Sequence, residues 1–442
     1  MKKTALKKTR TVDNEYVLPM GWHRSRDTLP LDDGPGDHEL AQAGPKQRLH
    51  DELIASVDNS AEVVLAASFL FADPKLADAL LAAQERGVRV YLLTASEQRL
   101  RNYSRAEGSF EEKMVREHIE LLNRFVGRIL VRTAEHFHAK FLVVDPRDES
   151  AHGWISTANF NKALEENVEL GLRIGGSQAR ALAGWFNHAF WTEADRELVA
   201  KERLVPVGAP PAMPVVPQSD RILATAADQY SLRDEALRTI NEASAEIVVS
   251  SYGLDKGHPT VDALCEAALR GVRVTVLTRP RPTIGAAVTR LLEAGADVMA
   301  HEKLHAKALW VDGKGIVFTA NLEEHGMDKG FEVGARLGEA RTSQLKTILD
   351  DWTRRFPWRL RASASLPETT QEFCSVGKLL KEGMIRIEAE ELRKLPPVTV
   401  PDGLSLDDAP EPRLEVAIAP RDRRLARRVC YEWEVQSRKG KP

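Results

Sequence analysis

An α/β fold made of two similar halves is what this sequence predicts, and three observations carry the prediction. Ser60-Ala61-Glu62-Val63-Val64 returns as Ser244-Ala245-Glu246-Ile247-Val248. Arg86-Gly87-Val88-Arg89-Val90 returns as Arg270-Gly271-Val272-Arg273-Val274, at the same spacing of 184 residues and with no gap. Each copy then reads strand, helix, strand, which argues for a largely parallel sheet. A duplication of this length predicts two repeats related by a pseudo-two-fold axis.

The elements follow in order. Residues 1–45 form an arm that starts basic and holds Gly, Pro and Asp with weak periodicity, so it reads as loop-rich. Residues 48–57 have helical spacing. The first repeat, 46–200, opens with the apolar run 63–71, continues as a helix over 76–86, and turns at Gly87 into a second strand. A proline-rich linker, 201–222, follows. The second repeat, 223–362, restates the plan with a helix over 261–270 ended by Gly271.

From His138 to His305, and from Trp185 to Trp352, the spacing drops to 167, so the first half carries 17 more residues before its histidine. Trp185 with Trp191, and Trp352 with Trp358, read as helices that close each half, the tryptophans serving as core. Residues 363–442 have no counterpart and read as a small appended C-terminal domain. It has a helical patch over 378–394, strands near 414–418 and 429–435, and a basic run from Arg421 to Arg428.

Gross composition narrows the class. With 442 residues, 43% hydrophobic and 29% charged, the chain has the makeup of a globular protein of two or three domains. A formal charge of −3 gives no global pull toward nucleic acid or an anionic membrane, although a local basic groove is compatible with it. Cys265, Cys374 and Cys430 are odd in number and scattered, which suits neither a disulfide framework nor a metal site. There is no apolar segment of signal-peptide or membrane-span type, so the expected location is the cytoplasm.

The chemistry sits in a second repeated pattern. His138-Ala139-Lys140, then four residues, then Asp145, returns as His305-Ala306-Lys307, then four residues, then Asp312. Thr157-Ala158-Asn159 returns as Thr319-Ala320-Asn321, and Glu169 returns as Glu332. The histidine and lysine of each copy, two apart on a strand, share one face. Two histidines across one pocket suit a two-step displacement, one as nucleophile and one as proton donor and acceptor. Two lysines and two asparagines supply donors for a tetrahedral phosphoryl group. Glu169 and Glu332 suit the distal nitrogens of the histidines. No metal is needed, because the cationic donors can neutralise the phosphate.

This double H-x-K-x-x-x-x-D pattern, with its hydroxyl-x-Asn and later Glu, resembles the phospholipase D superfamily over 46–362. The resemblance implies a phosphodiesterase working through a covalent phosphohistidine without metal or other cofactor. His138 matches the usual nucleophile and His305 the usual general acid and base. Lys140, Lys307, Asn159 and Asn321 match phosphate binders, and Asp145 and Asp312 match motif aspartates of structural role. Thr157 and Thr319 stand where the family has Ser. The family's N-x-E is Asn167-Val168-Glu169 in the first half but Gly330-Phe331-Glu332 in the second.

Substrate class is less determined. Arg99, Arg101, Tyr103 and Arg105 in the extra segment, with Arg279 and Arg281 in the second half, follow strands whose ends bind ligands in α/β folds. They suit a nucleic-acid backbone, and equally an ordinary solvated loop. The expectation is a metal-independent nuclease on DNA or RNA, in DNA processing or phage defence, with nucleic acid as partner. One alternative is a phospholipase D or cardiolipin synthase-like phosphatidyltransferase acting on phospholipid. Another is a non-catalytic nucleic-acid-binding module. One monomer holds a complete site.

Overall fold

The structure is a computed structural model that describes residues 5–13, 17–18, 20–25, 34–44, 48–107, 112–210, 212–226, 229–362, 364–365, 370–386, 413–419 and 424–436. The chain divides into two compact units. One comprises Leu29–Arg279 with Thr283–Phe356, and holds both repeats; the other comprises Met1–Thr28, Pro280–Pro282 and Pro357–Pro442.

In the first repeat the strand Val63–Ser68 lies parallel to Arg89–Ala95, which lies parallel to Leu130–Ala134. On its other side Lys140–Val144, His152–Ser156, Leu170–Gly175 and Leu40–Gln42 follow as antiparallel neighbours. The second repeat copies this. Glu246–Ser250, Arg273–Thr278 and Asp297–Ala300 are parallel, and Ala308–Val311, Lys314–Phe318, Glu332–Arg336 and Ile222–Ala226 are antiparallel. Each sheet is therefore mixed, not largely parallel as the strand–helix alternation suggested. Connection length accounts for part of this: residues 145–151 and 312–313 are too few to cross over, so the strands they join run antiparallel.

The helices form where read. Pro74–Glu85 starts with Asp73 accepting from the N–H of Leu76 at 2.8 Å, and Pro74 supplies no orphan donor. Its chain reverses at Gly87 with φ +94°, and Gly271 does the same after Pro259–Leu269 with φ +90°. The extra residues of the first half build two helices, Glu97–Glu107 and Glu112–Phe125, where the second half has Gly285–Glu293.

The sequence repeat slips by one residue in its first strand. Asp145 N–H donates to Val63 O, and the matching Asp312 N–H donates to Glu246 O. Val63 pairs with Arg89, and Glu246 with Arg273. Structural equivalents are thus 183 apart in the first strand and 184 in the second, so the ungapped alignment needs one gap. A one-residue slip exchanges the faces of a strand, and this one decides which side chains wall the site.

A single apolar cluster joins the two repeats, with Phe137, Phe141, Trp185, Phe331 and Trp352 all buried in it. Trp185 lies on Gly176–Thr192 and Trp352 on Glu339–Arg355. Trp352 Nε1 donates to Gln42 at 3.0 Å. Trp358, expected on the closing helix, instead starts the strand Trp358–Arg361 of the other unit.

That other unit corrects the reading of the N-terminus. The expected loop-rich arm carries strands: Gly21–Ser25 pairs with Trp358–Arg361 and Thr370–Ser375, and Ala5–Asp13 pairs with Arg424–Gln436. The expected C-terminal strands are present as Arg413–Ala419 and Arg424–Gln436. The helical patch reduces to Leu380–Gly383, and residues 387–394 lie outside the described ones. So do the side chains of the Arg421–Arg428 run. Among the described residues no helix is long and apolar enough to cross a membrane.

Candidate active site

Each H-x-K stretch feeds the start of a strand, and its aspartate anchors the far end. Asp145 accepts from the N–H groups of Ala61, Glu62 and Val63 at 2.8, 2.7 and 2.8 Å. Asp312 accepts from those of Ser244, Ala245 and Glu246 at 2.7, 3.2 and 2.7 Å. Both residues sit in the left-handed region, φ 46° and 45°, a conformation costing roughly 1–2 kcal/mol that these bonds offset. The geometry is that of a structural clamp remote from the histidines.

The glutamates cross between the halves. His138 Nδ1 donates to Glu332 Oε1 at 2.5 Å, and His305 Nδ1 donates to Glu169 Oε1 at 2.7 Å. Each imidazole is thereby oriented by the other repeat, and Lys140 Nζ also stands 3.2 Å from His138 Nε2. The second carboxylate oxygens accept from Thr157 at 2.6 Å and Thr319 at 2.5 Å, which accounts for a hydroxyl two residues before each asparagine. Backbone bonds make the same exchange: His138 N–H donates to Phe331 O, and His305 and Ala306 N–H donate to Val168 O. The rings of Phe137 and Phe331 stack at 5.4 Å behind them.

Lys140 and Lys307 are fully buried and donate to the carbonyls of His138 and His305. Their amines lie 3.0 and 2.9 Å from the Nδ1 atoms. Asn159 and Asn321 are buried, each with an Oδ1 that has no partner, and Asn321 Nδ2 donates to Glu323. His138, His305 and Asn159 open onto one cavity of about 180 Å³, together with Phe69, Tyr252, Asn161, Asn167 and Arg279. Lys140, Lys307, Glu169 and Glu332 pack behind the imidazoles, and Asn321 is outside that lining.

The electrostatics differ between the two imidazoles. Burial lowers His138 far below the ordinary histidine value, and Lys140, Lys307, His305 and Arg99 add to the effect. Burial lowers His305 to about 4, with Glu169 pushing it back up. Burial raises Glu332 above the usual carboxylate range. Glu169 is equally buried, yet His305 and Lys307 hold it below that range. Burial lowers Lys140 to about 8, and Lys307 well below its ordinary value. Burial thus disfavours the cationic form of both imidazoles, while the two glutamates shift in opposite directions.

The arginines divide. Arg279 lines the cavity. Arg99 reaches His325, with Nη2 2.6 Å from Nε2, and the His325 ring is 6.1 Å from that of His138. Arg101 pairs with Glu97 on the surface at 2.7 Å. Arg281 belongs to the other compact unit. The side chains of Tyr103 and Arg105 lie outside the described residues.

Sequence reasoning missed Phe69 and Tyr252, whose rings pack on His138 at 4.7 Å and His305 at 4.8 Å. The signal was a serine followed by an aromatic, Ser68-Phe69 and Ser251-Tyr252. The ungapped alignment hid it by setting Phe69 against Gly253. The missing asparagine of the second half has a packing reason: a Cβ at Gly330 would stand 2.8 Å from the His325 carbonyl.

A family model described as "Cardiolipin synthase, PLD-like domain" matches residues 53–191 and 236–354, the two repeats just described. The chain belongs to the phospholipase D superfamily. Among its relatives in that superfamily is cardiolipin synthase A of Serratia proteamaculans (strain 568), 23% identical over 306 residues. The alignment covers 64% of this chain and 61% of that protein, so the chain spans about three fifths of its relative's length. The crystal structure of phosphatidylserine synthase from Haemophilus influenzae Rd KW20 superposes with a TM-score of 0.54 at 10% identity. That match covers 82% of this chain and 92% of the other, and shows the shared fold.

Proposed function

We propose that this phospholipase D superfamily member is a phosphatidyl-transferring phosphodiesterase acting on a phospholipid through a phosphohistidine. The observation that carries the reading is the pair of crossed His–Glu contacts on one cavity. It presents two Nε2 atoms, each backed by the opposite half, to a single substrate. His138, held neutral by its cationic neighbours, attacks phosphorus through Nε2. The bond from phosphorus to the leaving alcohol oxygen breaks, and His305, which takes up a proton on Nε2 from solvent when the anionic substrate enters, passes that proton to the oxygen. An incoming alcohol or water then returns its proton to His305 and attacks phosphorus, breaking the N–P bond. Asn159, which lines the cavity, supplies an amide donor to a non-bridging oxygen, and the buried Lys140 and Lys307 behind the imidazoles supply positive charge.

The lipid assignment draws on the family description, which names cardiolipin synthase, and on two relatives that are named as phospholipid synthases. The nuclease expectation loses ground on the arginines. Among the described arginines it relied on, Arg279 alone lines the cavity. One assay separates the readings. The protein is incubated in EDTA with phosphatidylglycerol and phosphatidylethanolamine vesicles, single- and double-stranded DNA, and RNA. Release or exchange of a lipid head group that is lost in His138→Ala supports the proposal. Nucleic-acid cleavage with inert lipid overturns it in favour of the nuclease, and binding without turnover favours the non-catalytic module.

A further inference from the structure

The two halves present the same reactive groups but different walls. The hydrogen bonds that define register make Tyr252 the counterpart of Phe69: Ser68 Oγ donates to Leu70 O and receives Phe160 N–H, and Ser251 Oγ donates to Gly253 O and receives Leu322 N–H. At the end of the next strand, where equivalents are 184 apart, Arg279 corresponds to Ala95. Beside His305 there is a phenol and a guanidinium; at the matching positions beside His138 there is a benzene ring and a methyl group.

Phosphoryl transfer does not call for this difference. The group being transferred is already served by a histidine facing the cavity and a buried lysine behind it from each half. Arg279 adds a permanent positive charge in a fixed place. Its Nε donates to Leu304 O at 3.0 Å, and its guanidinium stands 5.0 Å over the Tyr252 ring. Both side chains line the cavity. Lys162 and Glu166, of opposite charge, also line the cavity, and the Glu323 carboxylate acts on Tyr252 from nearby, so the positive charge of that wall comes from Arg279.

We infer that Tyr252 and Arg279 form an anion-binding wall beside His305, which selects as acceptor an alcohol that itself carries a phosphate. The inference rests on the phosphatidyl-transfer reading, with His305 serving the oxygen that leaves and the oxygen that enters. The acceptor hydroxyl meets His305 Nε2 while its phosphate takes the guanidinium by paired hydrogen bonds. Tyr252 adds a hydroxyl donor and fixes the arginine through its ring face.

Two measurements test it. Transfer from a phosphatidylglycerol donor is followed with glycerol 3-phosphate or glycerol as acceptor, and the ratio of the two kcat/KM values is read. We expect the wild type to favour glycerol 3-phosphate about tenfold or more, Arg279→Gln to bring the ratio near one, and Arg279→Lys to restore part of it. Tyr252→Phe should lower the ratio by a smaller factor, about two- to fivefold. A wild type indifferent to acceptor charge, or an Arg279→Gln enzyme that keeps the preference, overturns the inference.

The second measurement needs no turnover. His138→Ala protein is titrated with glycerol 3-phosphate and with glycerol, with and without Arg279→Gln. A loss of about tenfold in affinity confined to glycerol 3-phosphate supports the wall, and equal affinities overturn it. Absence of any His138-dependent lipid turnover would defeat the functional reading on its own, while this titration still decides Arg279.

Discussion

The first and second repeats share a set of six residue types, His, Lys, Asp, Thr, Asn and Glu, and differ in the walls around it. His138 and His305 are each gripped by a glutamate from the other half, each glutamate by a threonine, and each strand by an aspartate clamp. The surroundings diverge. The His138 side has Phe69 and the Arg99–His325 contact, and the His305 side has Tyr252, Arg279 and Asn167. On the reading proposed above, the shared set serves the phosphoryl group, which is the same from either side, and the unshared set serves two alcohols that are not alike.

The largest expected effect tests whether both halves serve one reaction. His138→Ala and His305→Ala should each lower kcat by about 10⁴-fold or more, and the double variant little further, because residues acting as a unit are not additive. Independent sites would instead leave each single variant about half active.

The crossed glutamates sharpen the comparison. Burial pushes Glu332 up, while His305 and Lys307 hold Glu169 down. A neutral amide is therefore the smaller change at Glu332. Steady-state kinetics should show Glu169→Gln losing about 10²-fold or more in kcat and Glu332→Gln losing about tenfold less than that. The reverse order would contradict the assignment of His305 to the protonated role.

Lysine titration gives a pH signature. Lys140 is lowered to about 8, so it is charged below that pH and neutral above it. With charged Lys140 binding phosphate, kcat/KM should fall as pH rises through about 8. Lys140→Arg, which stays charged, should remove that limb.

The aspartate clamps should act on stability alone. Asp145→Ala leaves three backbone N–H groups without their acceptor, and denaturant unfolding should show a loss of about 2–4 kcal/mol with catalysis per folded molecule retained. A final, smaller effect lies outside the site. His118 is buried and lowered to about 4 from an unperturbed value near 6.5. The unfolded chain binds its proton between those values and the folded chain does not, so stability falls as pH drops from about 6.5 to 4. His118→Gln should flatten melting temperature against pH across that window.

Much of this was legible in the chain. The duplicated His, Lys, Thr and Glu positions meet in one hydrogen-bonded set, because strict repetition marks residues whose partners are also repeated, whereas Asn159 lines the cavity and Asn321 does not. The crossing of the glutamates was not legible, since spacing says which residues recur and not which copy meets which. Mixed strand direction was hidden behind apolar runs that look the same in parallel and antiparallel neighbours. Tyr252 was hidden by a one-residue slip that no composition records. The strands of the N-terminal arm escaped because Gly21–Ser25 finds its partners more than 300 residues away.

The most direct test of a shared site with a covalent histidine is rapid acid-free quenching of a phosphorus-radiolabelled phosphatidyl donor, followed by peptide mapping. The label should sit on the peptide containing His138, vanish in His138→Ala, and accumulate in His305→Ala, where the leaving group departs slowly but the incoming hydroxyl lacks its base. Turnover in EDTA with no labelled histidine, undiminished in both variants, would contradict the account.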